Sequence, residues 1–328
     1  MTDESINNRG ASYAGPPEAS TGALRVAILG LGRAGTAVLR ECLAAPGISV
    51  VGAWNRSPRP LALPCPVTIG GEPPDELLGA DLVLLAVLDD AVPAVARGLR
   101  VPAATAVVHL SGAADASLLD SLPSGHRGCW HPLQAFAERP PGGMPVPPYA
   151  VALQGDPVAV QRGRALADAL GHPAVELAAD GRAAYHAAAV LASNCLVALE
   201  ATALRVMGRA GVSPDDGWKL LWPLVAGTLA NLEAGPAPSA LTGPVARGDA
   251  RTIERNLSAI GADSGARDAY VALSNEALAL ARAAGVDPDR IDAIAQILAC
   301  DPARSAQVPD PSATGPDDPP SAAHTGDL

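Results

Sequence analysis

Six residues, Gly30-Leu31-Gly32-Arg33-Ala34-Gly35, constrain the fold of this chain more than any other stretch. The pattern G-x-G-x-x-G is common by chance in a sequence with 33 glycines. Its setting is not. A short apolar run, Arg25-Val26-Ala27-Ile28-Leu29, enters it, and a helical pattern from Arg33 to Ala44 leaves it. In a strand–turn–helix of this kind each glycine has a mechanical role. One makes a tight turn, one leaves room for a pyrophosphate to approach, and one allows close helix–strand packing. The helix N-terminus then offers amide donors to the phosphates. Gly30, Leu31, Gly32, Arg33, Ala34 and Gly35 are therefore expected to line a dinucleotide site.

The flanking sequence predicts the sheet that such a turn belongs to. Leu24 to Leu29, Ile48 to Trp54, Leu82 to Val87 and Ala106 to Leu110 read as buried parallel strands. Arg33 to Ala44 and Ala91 to Leu99 read as helices between them. Tyr149 to Leu153, a helix from about Val158 to Leu170, and Ala174 to Leu177 continue the alternation. The expectation is an α/β Rossmann-type doubly wound sheet with right-handed crossovers. From Arg182 onward the pattern is helical. One long helix is predicted from Arg182 to Met207, then helices at about Pro214 to Glu233, Ala250 to Ile260, Ala266 to Ala284 and Pro288 to Ala299. Breaks fall at Gly211, Gly235, Gly261 and Gly285. The predicted organisation is a tail at 1–22, a dinucleotide-binding domain at 23–180, an all-α domain at 181–302 and a second tail at 303–328. Both tails are polar, without periodicity, and read as disordered.

The end of the second strand, Ala53-Trp54-Asn55-Arg56-Ser57, selects the cofactor. NAD-specific sites place an acid there to accept from the ribose 2′-hydroxyl, and none is present. An arginine beside a hydroxyl suits a 2′-phosphate, so Asn55, Arg56 and Ser57 point to NADP(H). Val87 and Leu88, at the end of the third strand, are expected at the nicotinamide ribose. Asp89 and Asp90 read either as ligand contacts or as helix caps. Ser111, just past the fourth strand, falls at the same edge.

Composition removes several classes of function. The formal net charge of −11 argues against nonspecific nucleic-acid or membrane-surface binding. Aromatic residues are only 3%, too few for base-stacking platforms. The longest uninterrupted apolar run, Leu82 to Leu88, is strand length, far short of the ~20 residues of a membrane span. No basic-then-apolar leader opens the chain, so a cytoplasmic protein is expected. The five cysteines show no CxxC and no metal spacing, and read as reduced, mostly buried thiols. Lys219 is the single lysine among 23 basic residues, so a catalytic cation must come from arginine or histidine.

Two stretches carry candidate chemistry. Cys129-Trp130-His131-Pro132 places His131 on a Pro-stiffened turn, where it either positions substrate or holds the turn. In Tyr185-His186-Ala187-Ala188-Ala189-Val190-Leu191-Ala192-Ser193-Asn194, His186, Val190 and Asn194 are four apart and share a helix face. Asn194 is polar in an apolar setting, which needs a partner or a function. Further on, Leu241-Thr242-Gly243-Pro244-Val245-Ala246-Arg247-Gly248-Asp249 is a polar loop that either completes a site or caps the next helix through Asp249. His126, His172 and His324 are expected to be solvent-exposed.

These stretches together resemble a bacterial family that joins a Rossmann-like domain to a C-terminal helical domain of unknown function. The residues that carry the resemblance are Gly30 to Gly35, HPLQAF at 131–136, YHAAAVLASN at 185–194 and LTGPVARGD at 241–249. That family is similar to ketopantoate reductases, pyrroline-carboxylate reductases and β-hydroxyacid dehydrogenases. In the ketopantoate reductases a helix lysine acts as general acid, with asparagines one and two turns later. The resemblance puts Asn194 at the second asparagine, His186 at the lysine and Val190 at the first asparagine. It also implies substrate contacts at Thr242 and Glu254, which have the spacing of a serine–glutamate pair in those reductases, while Arg247 of the polar loop is a further candidate substrate contact. Thr242-Gly243-Pro244 is similar to a Ser/Thr-Pro-Gly loop of the pyrroline-carboxylate reductases.

The sequence thus predicts an NADP(H)-dependent oxidoreductase that reduces a small carbonyl, such as a 2-oxo acid, or an imine. His186 is the expected acid or relay, Asn194 orients substrate and His131 is the alternative acid, in a dry cleft between domains. The rival readings are a nonenzymatic NADP(H)-binding regulator or redox sensor, and an assembly protein. Ala- and Leu-rich helices apolar on more than one face predict a homodimer. If Arg56 reads the 2′-phosphate, NADPH binds at least tenfold tighter than NADH, about 1.4 kcal/mol. Fluorescence titration of the Arg56→Ala variant should show most of that preference gone. Equal affinity of the unaltered protein for both cofactors contradicts the assignment.

Overall fold

Strand residues with successive side chains on opposite faces sort themselves into two cores. In this chain Val26, Ile28, Leu82, Leu84, Ala106 and Val108 fill one face, and Ala27, Leu29, Val83, Leu85 and Val107 fill the other. A sheet buried on both sides needs helices on both sides. The structure, a computed structural model, describes residues 22–58, 63–136 and 148–300. The tails expected at 1–22 and 303–328, with His324, lie outside the described residues apart from Gly22. The chain divides into two compact units, Met1–Ser193 and Asn194–Leu328.

The first unit holds an eight-stranded sheet. Its strands are β1 (Leu24–Leu29), β2 (Ile48–Asn55), β3 (Val67–Ile69), β4 (Leu82–Leu85), β5 (Ala106–His109), β6 (His126–Pro132), β7 (Val151–Gly155) and β8 (Ala174–Glu176). The order is β3-β2-β1-β4-β5-β6-β7-β8. Strands β1 to β6 are parallel, β7 is antiparallel to β6, and β8 is parallel to β7. The helices are α1 (Arg33–Ala44), α2 (Asp75–Leu78), α3 (Val92–Gly98), α4 (Pro157–Leu170) and α5 (Arg182–Ala192). Val38, Leu39 and Cys42 of α1 and Ala159 and Leu166 of α4 pack on the first face. Leu77 and Leu78 of α2 and Val92 and Ala96 of α3 pack on the second. Full burial of each large aliphatic side chain is worth about 1.5–3 kcal/mol. The order of the strands reverses between β1 and β4, which makes their carboxyl ends the place where such sheets bind ligands.

Several expectations are corrected. The stretch around His131 is strand β6 rather than a turn, because Trp130 is fully buried and its Nε1–H donates to the Gly163 carbonyl at 2.9 Å. His126 opens the same strand. His172 is buried, not exposed. Its ring stacks on Tyr149 with centroids 3.8 Å apart, and its Nε2 lies 3.1 Å from Glu41 Oε2, which also accepts from the Tyr149 hydroxyl. Burial and that acceptor push the Tyr149 pKa up. Of the cysteines only Cys42 and Cys129 are buried, while Cys195 and Cys300 are exposed.

The long helix expected from Arg182 to Met207 is broken. Helix α5 ends at Ala192, and Ser193 leaves helical geometry with φ −121° and ψ −74°. The second unit then begins with α6 (Asn194–Gly208), followed by α7 (Pro214–Ala234), α8 (Ala237–Ala240), α9 (Gly243–Ala246), α10 (Ala250–Ile260), α11 (Ser264–Ala283) and α12 (Pro288–Ala299). Its core is Val245, Ile253, Leu257, Val271, Leu278, Ile291, Ile294 and Leu298. The side chains of Ser213, Asp249, Asp263 and Asp287 cap α7, α10, α11 and α12. The stretch Arg182–Gly208 is long and apolar enough to cross a membrane by length and composition, with a mean hydropathy of 1.7. A scan for unbroken apolar runs passes over it, because His186, Ser193, Asn194, Glu200 and Arg205 interrupt it.

Candidate active site

The β1–α1 turn is built by contacts that only glycine permits. A Cβ on Gly30, at φ +106°, would lie 2.5 Å from the Ala86 carbonyl oxygen at the end of β4. A Cβ on Gly35 would lie 2.1 Å from the Gly30 carbonyl oxygen. Gly32 meets nothing closer than 4.0 Å and caps α1 without a side chain, so a phosphate can approach the helix end. Leu31 has its side chain in the core, and its N–H donates to Asn55 Oδ1 at 2.8 Å. The Asn55 amide nitrogen in turn donates to the Ser57 carbonyl. Asn55 therefore holds the turn and the β2 end together. Arg33, Arg56, Ser57 and Leu88 are exposed, Ala34 and Val87 are half-buried, and all lie at this edge of the sheet.

The neighbouring strands add a polar cluster at the same edge. His109 ends β5 and is fully buried. Its Nδ1 accepts from the Ser111 N–H at 3.2 Å, which leaves Nε2–H to donate to the Asp115 carbonyl at 2.9 Å. Burial lowers its pKa, so it is a neutral structural ring. The Ser111 hydroxyl donates to Asp89 Oδ2 at 2.6 Å and accepts from the Ala114 N–H. Ser111 thus shapes the loop after β5, and Asp89 is its partner.

His131, near the end of β6, shares a 2.7 Å hydrogen bond through Nδ1 with the Tyr185 hydroxyl of α5. The rings meet edge to face with centroids 5.6 Å apart. His131 Nε2 turns the other way, towards Gly112, where a Cβ would be 2.7 Å from it and 3.0 Å from His186 Nδ1. Gly112 must stay small so that both imidazoles can share this space. The His131 pKa is lowered to about 4, first by burial, then by the charge of Arg182 and by His186. Tyr185 is shifted upward by burial. Arg182, on the first turn of α5, is buried, with its guanidinium carbon 5.7 Å from the Tyr185 ring centre. Burial pushes the Cys129 thiol up to about 12 although Arg182 is close.

His131 and His186 thus come together at Gly112. Asn194 does not share their helix: it lies beyond the break at Ser193, exposed, at the start of α6. Thr242 and Glu254 are exposed in the second unit, and Arg247 contributes its carbonyl oxygen to Arg290. Asp249 caps α10, accepting from the N–H and hydroxyl of Thr252. Tyr185 and Arg182 carry no role in the sequence reading. The signal was present in the spacing, since positions 182, 185 and 186 lie on one helix face.

Residues 149–277 match the family model described as a domain of unknown function, DUF2520. The search of curated proteins finds no match. Among solved structures the fold is similar to a Thermotoga maritima protein at 22% identity and TM-score 0.60, covering 79% of this chain and 98% of that one. It is also similar to a Bacteroides fragilis protein named as a candidate NADP oxidoreductase, at 20% identity and TM-score 0.58, over 78% and 98%. A Plasmodium falciparum pyrroline carboxylate reductase with NADP bound matches at 11% identity and TM-score 0.52, over 79% and 98%. The resemblance carried by the sequence motifs agrees with this fold.

The depressed His131 pKa has a consequence for stability. Below its ordinary value of 6.5 the unfolded chain takes up a proton at this ring that the folded chain refuses until about pH 4. Folding is therefore penalised progressively as the pH falls from about 6.5 to 4, by up to roughly 3 kcal/mol. Above pH 6.5 both states are neutral and the group contributes nothing. Chemical denaturation at pH 7 and pH 4.5 should show a smaller loss of stability on acidification for His131→Gln than for the unaltered chain. Identical losses would contradict the shift.

Proposed function

We propose that this protein is an NADP(H)-dependent oxidoreductase that reduces a small carbonyl or imine compound. The observation that carries the reading is the 2.7 Å pairing of His131 with Tyr185, on the same sheet edge as the glycine turn. A turn closed by Gly30 and Gly35, with Gly32 left open at the head of α1, fits a dinucleotide pyrophosphate. Arg56 and Ser57 fit a 2′-phosphate. The NADP named in two of the similar structures supports the same cofactor. When bound, the reduced nicotinamide supplies a hydride to the substrate carbon.

The chain's own part is to place the substrate and deliver a proton. As hydride arrives, the electron pair of the C=O or C=N bond moves onto oxygen or nitrogen. A neutral His131 with its proton on Nε2 can donate to that atom, since Nδ1 then accepts from Tyr185. As Nε2 gives up its proton, the Tyr185 hydroxyl proton moves to Nδ1. An alkoxide is a stronger base than a phenolate, so the transfer runs downhill. Water then restores Tyr185. A neutral imidazole suits this role, as does its exclusion from bulk solvent. His186, without a partner at Nδ1, is the weaker candidate for the same proton.

His131→Gln and Tyr185→Phe should each lower kcat by ~100-fold, the usual scale for losing a general acid, with NADPH affinity unchanged. The assay is NADPH oxidation with 2-oxo acids and cyclic imines. Cofactor binding by the unaltered protein with no turnover across that panel would contradict the enzyme in favour of a regulatory protein. The exposed apolar face of α7 supports the expected homodimer. Trp218, Leu220, Trp222, Leu224, Leu229 and Leu232 of α7 are exposed, a patch that soluble monomers rarely present. Light scattering at micromolar concentration should give twice the chain mass, and a monomer would overturn the dimer.

A further inference from the structure

Seven buried side-chain polar atoms among the described residues have no hydrogen-bond partner, and four of them belong to Arg182 and His186. They are Nε, Nη1 and Nη2 of Arg182 and Nδ1 of His186. The two residues are four apart on α5, on one face of the helix. Arg182 is only 3% exposed. A guanidinium cannot shed its proton, and burying one unpaired is costly.

Among the described residues no carboxylate forms an ion pair with Arg182, although the Cys129 thiol and the Tyr185 ring lie beside it and its charge reaches Asp115. His131 and His109 are held neutral, the Cys129 thiol stays protonated, and Tyr185 presents its ring rather than an anion. The Asp89 carboxylate accepts from Ser111 and that of Asp115 from Ser117, and neither makes a direct contact with the guanidinium. What remains is a fork of donors with a second orphaned nitrogen one helical turn away. That geometry suits a planar anion with two oxygens.

We propose that Arg182, assisted by His186 Nδ1, binds a carboxylate of the substrate. The inference rests on the reductase reading and narrows it. The substrate is a small 2-oxo acid or cyclic imino acid whose reducible carbon is adjacent to its carboxylate. Arg182 grips the carboxylate while Tyr185, three residues on and hydrogen-bonded to His131, serves the neighbouring reducible bond. Arg182 is a specificity-determining residue by this account, and His186 supports it rather than supplying the reaction's proton.

The test compares oxamate, a carboxylate that mimics a 2-oxo acid and accepts no hydride, with its neutral counterpart oxamide. Both are titrated calorimetrically into the full-length protein in the presence of NADPH. The unaltered protein should bind oxamate at least tenfold tighter than oxamide. Arg182→Met should remove that difference, and Arg182→Lys, which keeps charge but loses the fork, should restore part of it. NADPH affinity should change less than threefold in both variants. Equal binding of oxamate and oxamide by the unaltered protein overturns the proposal without need of any variant, and does so even where Arg182→Met fails to fold. A parallel loss of NADPH affinity also overturns it, since Arg182 would then serve the cofactor's phosphates. Failure of the unaltered protein to bind NADPH sinks the reductase reading instead. Oxamate titrated without cofactor then decides Arg182 alone, a preference over oxamide supporting the anion site and its absence refuting it.

Discussion

The close approach of the β1–α1 turn to the carboxyl end of β4 is the constraint on which the rest of the first unit depends. With Gly30 against the Ala86 carbonyl, and Gly35 against Gly30, strand and helix lie closer than any side chain would allow. That closeness sets the head of α1 over the point where strand order reverses. Asn55 ties the same turn to the end of β2. The carboxyl edges of β2, β1, β4, β5 and β6 therefore fall in one row, and whatever occupies the turn is presented to the histidines at the far end of that row.

The polar cluster answers to a different physics. His109 is locked by two backbone hydrogen bonds and serves the loop after β5. His131 is held by one side chain, Tyr185, and its second nitrogen faces Gly112. Arg182 raises the local potential and, with burial, keeps both rings neutral. On the proposed reading that is a division of labour: a neutral donor for the reacting bond and a fixed cation for the substrate's own charge.

Much of this was legible in the residues. The alternating apolar strands, the glycine turn and the helical second half follow from periodicity and punctuation, and the four helix caps stand where Ser and Asp precede helical runs. Other features were hidden for physical reasons. Strand β6 carries His126, Arg127 and His131, so its polarity reads as loop, while its burial comes from Trp130 and its pairing with β5 and β7. The break at Ser193 has no proline or glycine to announce it, so His186 and Asn194 read as sharing one helix. His172 reads as solvated because its partners, Glu41 and Tyr149, are more than a hundred and about twenty residues away in sequence. Tyr185 and Arg182 sat in plain view on a helix face, but only the pairing with His131 and the absence of any ion pair for the guanidinium among the described residues give them meaning.

On the proposed reading a nicotinamide meets its substrate at the carboxyl edge of the sheet, within reach of His131. A crystal structure of the protein with NADPH tests it most directly. The expected result is the pyrophosphate at the amide end of α1 and the nicotinamide ring at the carboxyl edge of β4 to β6, with C4 facing a point within reach of His131 Nε2, directly or through one water. A cofactor bound with its nicotinamide beyond the reach of His131, or no cofactor bound at the glycine turn, would contradict it.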